Sequence, residues 1–240
     1  MHTSARARPN PIFMRSPQTP KLLFSLALGL ALIVQGFPAL TAGPPADDAS
    51  LHTTVKRIES HLGQTRSLQA DFKETVASVA GERRVRTGVV YYLKPRRIRW
   101  AFKGAQAETI VSDGTTVYTY QPDLNQVVET PASKAFSSQN AAAVLLDARN
   151  LSKHFKITRP ATGLHSAMIG LLLTPRDGGP AIQVAVDPKT LNPAAFEFQD
   201  AIGDRTRLDL SNIKLNVPLD DSLFRFTPPP GADIVSGGPL

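Results

Sequence analysis

The chain has 240 residues, 42% of them hydrophobic, with 16 Gly, 20 Pro, no Cys and a formal net charge of +7. That length supports one sizeable core without disulfides, and the lack of Cys excludes a thiolate metal site and leaves no acceptor for a bacterial lipid anchor. The charge does not mark a polyanion binder, because Arg6, Arg8, Arg15 and Lys21 lie in residues 1–42 with no acid and the remainder carries only +3.

The first predicted element is "KLLFSLALGLALIV", a Lys followed by an apolar run from Leu22 to Val34. The run is apolar on every face, which suits no core helix. It is also too short to cross about 30 Å of hydrocarbon. Basic residues before it and the small residues of "PALTAGPPA" after it are the pattern of a secretory signal. Residues 1–42 are therefore expected to be a signal peptide, cleaved somewhere between positions 39 and 46, and the mature protein is expected in the periplasm. Residues 43–50 read as a linker ending in the helix-capping candidates Asp47, Asp48 and Ser50.

From Leu51 the apolar positions Leu51, Val55, Ile58 and Leu62 fall on one helical face, and Gly63 stands where a left-handed C-terminal residue is expected. Then the period changes to two. "SLQADFKETV" puts Leu68, Ala70, Phe72 and Glu74 on one side. "GVVYYLK" is a β-rich run broken by Pro95, and "RIRWAF" sets Ile98, Trp100 and Phe102 against Arg97 and Arg99. "ETIVSDGTTVYTY" folds around Asp113-Gly114, a strong hairpin signal. A second helical patch, "SSQNAAAVLLDARN", precedes further strands in "HFKITR", "MIGLLLT", "IQVAVD", "AAFEFQD" and "TRLDLSNIKL". "LFRFTPPPG" reads as the end of the ladder, since its Pro run can donate nothing.

The elements come in hairpin order with no βαβ alternation. The expected fold is mainly β with some α: an unclosed antiparallel β-barrel of about 11 strands, covered by a helical lid that encloses an apolar cavity. One domain is expected over residues 51–235, with a tail at 236–240.

No catalytic or metal site emerges. The five His residues lack HExxH spacing, and no GxSxG, GxGxxG or P-loop occurs. His52 and His61 read as exposed helix residues, and Asp209 as a solvated strand residue. The basic stretch "YYLKPRRIRWAF" also fails as a nucleic-acid face. Recognition on a sheet needs aromatics and cations on one exposed side, whereas the alternation here separates Trp100 from Arg97 and Arg99. No enzyme activity, cofactor or nucleic-acid partner is expected.

The order of these features resembles the LolA family: the one-faced helix, "SLQADFKETV", "GVVYYLKPRRIRW", "IVSDGTTVYTYQPDLNQV" and "LFRFTPPPGADIV". The resemblance spans about Leu51 to Val235. It implies a soluble, monomeric periplasmic carrier for acylated lipoproteins, loaded by the inner-membrane ABC transporter LolCDE and unloaded to the outer-membrane receptor LolB. The alternative is a module of the same fold for another apolar ligand or for envelope sensing. The family usually has Arg directly before the Pro of the "KPRRIRW" segment, where it helps hold the lid; here that position is Lys94. Ile98 falls where the family often has Phe, and Trp100 matches its Trp. The resemblance thus implies an acyl-chain or gating set of Lys94, Val90, Tyr92, Ile98, Trp100 and Phe72, with Leu51, Val55 and Ile58 from the helix.

Overall fold

The computed structural model describes residues 46–104, 107–135 and 150–237. A helix, α1 (Ala46–Gly63), precedes twelve strands. These are β1 (Ser67–Ala77), β2 (Arg83–Leu93), β3 (Arg97–Phe102), β4 (Thr109–Asp113), β5 (Thr116–Gln121), β6 (Gln126–Pro131), β7 (Phe155–Thr158), β8 (Ile169–Pro175), β9 (Ile182–Val186), β10 (Pro193–Gln199), β11 (Arg205–Leu215) and β12 (Asp233–Ser236). Two short helices, α2 (Ala132–Ala135) and α3 (Leu151–His154), and two 3₁₀ turns, Pro122–Leu124 and Asp221–Phe224, complete the described elements. The strands form one open sheet in the order β12-β6-β5-β4-β3-β2-β1-β11-β10-β9-β8-β7. No helix among the described residues is long and apolar enough to cross a membrane.

The expected mainly-β, unclosed architecture is present, with corrections in detail. There are twelve strands rather than about eleven. The unforeseen one, β12, follows the Pro run and pairs in parallel with β6, the single parallel pairing of the sheet. Proline removes a donor only at its own position, so the chain re-enters the ladder at Asp233. Helix α1 begins at Ala46, so Asp47, Asp48 and Ser50 lie within it rather than ahead of it. Gly63 is its last residue and is not among the glycines with positive φ. The helix ends instead in two tight turns, Gln64 N to His61 O and Thr65 N to Leu62 O. The second helical patch lies outside the described residues, apart from Asn150.

Alternation fixes which face is buried. Leu68, Ala70 and Phe72 of β1, Val90 and Tyr92 of β2, and Ile98 and Phe102 of β3 are all buried in one cluster, which defines the inner face. Leu51, Val55 and Ile58 of α1 belong to the same cluster, so the one-faced helix lies on that face. Each such burial is worth roughly 1.5–3 kcal/mol. The β4–β5 turn forms as expected around Asp113-Gly114. Gly114 has φ of 102°, and Asp113 Oδ1 accepts from Thr115 N (2.7 Å) and Thr116 N (2.8 Å).

Candidate functional site

Of the nine residues expected at the site, the eight apolar ones fall in the inner-face cluster. Val90 (1% exposed), Tyr92 (5%), Ile98 (2%) and Phe72 (3%) line neighbouring strands, and Ile58 (1%) of α1 joins the same cluster in a wall with Leu171, Leu173, Val184 and Phe196. Leu51 and Val55 sit on the same helix face but nearer its start, against Phe155 and Ile157 of β7 in one wall. Trp100 is half-buried, and its ring meets Phe72 edge-on with centroids 4.9 Å apart. Phe72 in turn meets Phe102 at 5.0 Å. The result is a continuous aromatic row, Trp100–Phe72–Phe102, on the inner face.

Lys94 is placed differently from the apolar eight. Its ammonium donates to the carbonyl oxygens of Gly63 (2.9 Å) and Leu62 (3.4 Å), at the C-terminal end of α1. A cation there also suits the negative end of the helix dipole. Lys94 therefore ties the end of β2 to the end of α1. His61 adds a second tie, with Nε2 2.8 Å from Asn192 Oδ1. This bond corrects the expectation of a merely exposed His61.

The firmest tie was not foreseen. Glu59 is only 6% exposed, although it is ionisable. Its Oε1 accepts from Ser152 N and Ser152 Oγ, each at 2.9 Å, and its Oε2 lies 3.4 Å from Lys56 Nζ. This clasps α1 to the start of α3. A carboxylate next to Ile58 on the apolar stripe was a visible signal, but Ser152 is 93 residues away and nothing local pointed to it. Replacing Glu59 by Ala should destabilise the domain by about 1–3 kcal/mol, because the Ser152 donors lose a charged acceptor. Urea unfolding of Glu59→Ala, Ser152→Ala and the double variant checks this; a double variant no worse than Glu59→Ala is the expected coupling, and strict additivity contradicts it.

The arginines need a second correction. Arg97 and Arg99 leave the inner face as expected, but they do not meet open solvent. The segment after β11 crosses the outer face there and ends in a 3₁₀ turn, Asp221–Phe224. Arg97 Nη1 lies 2.7 Å from Asp221 Oδ1, and its guanidinium sits 5.7 Å over the Phe224 ring, which is 1% exposed. Arg99 Nη1 donates to Leu223 O at 3.3 Å, and Phe226 stacks on Tyr118 at 5.4 Å. The outer basic surface is thus the seat of a C-terminal strap. Asp209 is likewise not simply solvated. Arg207 grips both its oxygens at 2.9–3.1 Å, and His165 Nε2 lies 3.6 Å from Oδ1.

Arg86, by contrast, points inward. It shares the parity of Val90 and Tyr92 and lies 4.0 Å over the Phe102 ring. Glu74 Oε2 (2.5 Å from Nε) and Glu108 Oε2 (2.7 Å from Nη1) hold it. Burial opposes its charge, but the hydrogen bonds and attraction of Glu74 and then Glu108 outweigh that and raise its pKa above the usual guanidinium value. The apolar row therefore ends in a charged, internally paired cluster.

Residues 63–227 match the family model described as outer membrane lipoprotein carrier protein LolA. The chain belongs to the LolA family. An outer-membrane lipoprotein carrier protein of Methylibium petroleiphilum is 32% identical over 82% of this chain and 94% of its own. One of Bordetella pertussis is 31% identical over 85% and 95%. Among solved structures, a LolA superfamily protein of Nitrosomonas europaea aligns over 73% of this chain and 97% of its own, with 14% identity and a TM-score of 0.42.

In this LolA-family domain small voids lie beneath α1 among the described residues. One void there, about 20 Å³, is lined by Leu62, Thr65, Leu68, Val90, Tyr92, Ile98 and Pro193. A second, about 10 Å³, lies among Ile58, Leu62, Leu171, Leu173, Val184 and Phe196. Each has room for about one water molecule. Neither void alone has room for an acyl chain. Leu62, Thr65 and Pro193 are additions to the expected wall. Leu62 was legible from the helical stripe, whereas Pro193 reaches the site only through the long-range pairing of β10 with β9 and β11.

Proposed function

We propose that the protein is a periplasmic carrier that shields the acyl chains of lipoproteins between the inner and outer membranes. The observation that carries this reading is a one-faced helix closed over an apolar sheet face by a few polar ties, on a chain of the LolA family. Each methylene removed from water is worth about 0.8 kcal/mol, so a long acyl chain exposed in the periplasm costs on the order of 10 kcal/mol. Covering it needs a separable apolar lid and no reacting group. Residues 1–42 direct export, and the carrier acts as a monomer. Loading by an ABC transporter such as LolCDE and delivery to a receptor such as LolB complete the cycle.

In this reading Val90, Tyr92, Ile98, Trp100 and Phe72 form the sheet side of the acyl site, with Leu51, Val55 and Ile58 on the lid. Lys94 is the gate. Its bonds to the α1 carbonyls form when the lid closes, so closure contributes free energy that helps expel the cargo. In Lys94→Leu that contribution, about 1.5 kcal/mol or roughly tenfold, is lost. The variant should fold and load normally but release cargo to the receptor about tenfold less completely. A reconstituted transfer assay reads this, and unimpaired transfer removes Lys94 from the gate.

The reading itself is tested by native mass spectrometry of the protein isolated from periplasm. An acylated lipoprotein bound one-to-one is the expected species. A free lipid in its place supports instead a same-fold module for another apolar ligand.

A further inference from the structure

The open sheet leaves β7 as an edge, and beside it, under the first turns of α1, runs a groove of about 370 Å³. That volume falls within the range of small-molecule sites, about 300–1,000 Å³. Its inner wall is apolar: Leu51 and Val55 of α1, Phe155 and Ile157 of β7. Its rim is not. His52, Lys156 and Arg176 line it, all three are exposed, and no acidic residue lines it. The nearest buried carboxylate, Glu59, is engaged by Ser152 and Lys56. Arg159 stands close by, bonded to Ser50 Oγ at 3.0 Å, and adds to the positive rim.

We propose that this groove is a binding site for a single-chain amphiphile with an anionic head, a carboxylate or phosphate. The apolar wall takes the first methylenes of the chain, and Lys156 and Arg176 hold the head, with His52 as a further donor. An extended peptide adding to the β7 edge fits less well. The strand has only four residues and carries Lys156, a charge of the kind that blunts edge pairing. The site is lateral to the aromatic row but shares Leu51 and Val55 with the lid side of the acyl site, and in that part it rests on the proposed function.

Titration calorimetry of the purified protein with three probes tests this: octyl phosphate, 1-octanol and inorganic phosphate. Octyl phosphate should bind at least about tenfold more tightly than either of the others, since it alone engages both wall and rim. In Lys156→Glu/Arg176→Glu that advantage should vanish while 1-octanol binding stays as it was. If the reversal variant fails to fold, Lys156→Gln/Arg176→Gln gives the same readout with a smaller loss. Equal binding of octyl phosphate and 1-octanol overturns the proposal, as does inorganic phosphate matching octyl phosphate. So does a variant that folds and keeps the full preference.

Discussion

Phe72→Ala is expected to lower the unfolding free energy by about 3–5 kcal/mol, the range for a large aromatic removed from a close-packed core. Phe72 is 3% exposed and sits at the centre of the inner face. It makes edge contacts with Trp100 and Phe102 and lies against Gly88 across the β1–β2 pairing. No neighbour can fill the space, because the strands on both sides are fixed by long ladders to β2 and β11. The chain has a single Trp, so the fluorescence of Trp100 reports this site alone. The variant should show red-shifted emission together with the loss of stability in urea. A loss below about 1 kcal/mol would mean that the aromatic row contributes little to the packing of the inner face.

Gly88→Ala should be nearly as damaging, by about 3 kcal/mol, although it adds only a methyl group. A Cβ at Gly88 would overlap the carbonyl oxygen of Ala101 and lie 2.5 Å from Phe72 Cζ and 2.6 Å from Cε1. The first obstacle is backbone and cannot turn aside. The requirement is for space, since Gly88 is not among the residues with positive φ. Its paired strand position opposite Phe102 leaves no room to retreat. The two substitutions should not add. Once Phe72 is Ala, one of the two clashes is gone, so Gly88→Ala should cost less in that background. Equal cost in both backgrounds would show that only the Ala101 carbonyl matters.

These two residues also show what the sequence made legible. Period-two alternation placed Phe72 with Leu68 and Ala70, and Trp100 with Ile98 and Phe102, on faces that the structure does bury. The same rule, counted back by twos from Tyr92 through Val90 and Gly88, reaches Arg86. Its aim over the Phe102 ring is not legible from its own stretch alone. Its partner Glu74 comes from β1 and Glu108 from the position just before β4, and only the sheet pairing brings them together. The strap over Arg97 and Arg99 was hidden for the same reason. The contact joins residues 124 apart, and nothing in "LFRFTPPPG" says which face it will cross. Strand β12 was missed because proline was taken to end pairing beyond its own position. Lys94 was singled out through the family pattern. What local reading lacked was its acceptors, two carbonyls at the end of a helix 31 residues upstream.

The central claim is that a lid-covered apolar face serves lipoprotein transit across the periplasm. Depletion of the protein followed by separation of the two membranes tests it most directly. Lipoproteins bound for the outer membrane should accumulate at the inner membrane, and wild-type protein supplied in trans should restore their passage. Unchanged distribution of those lipoproteins in fully depleted cells would contradict the account.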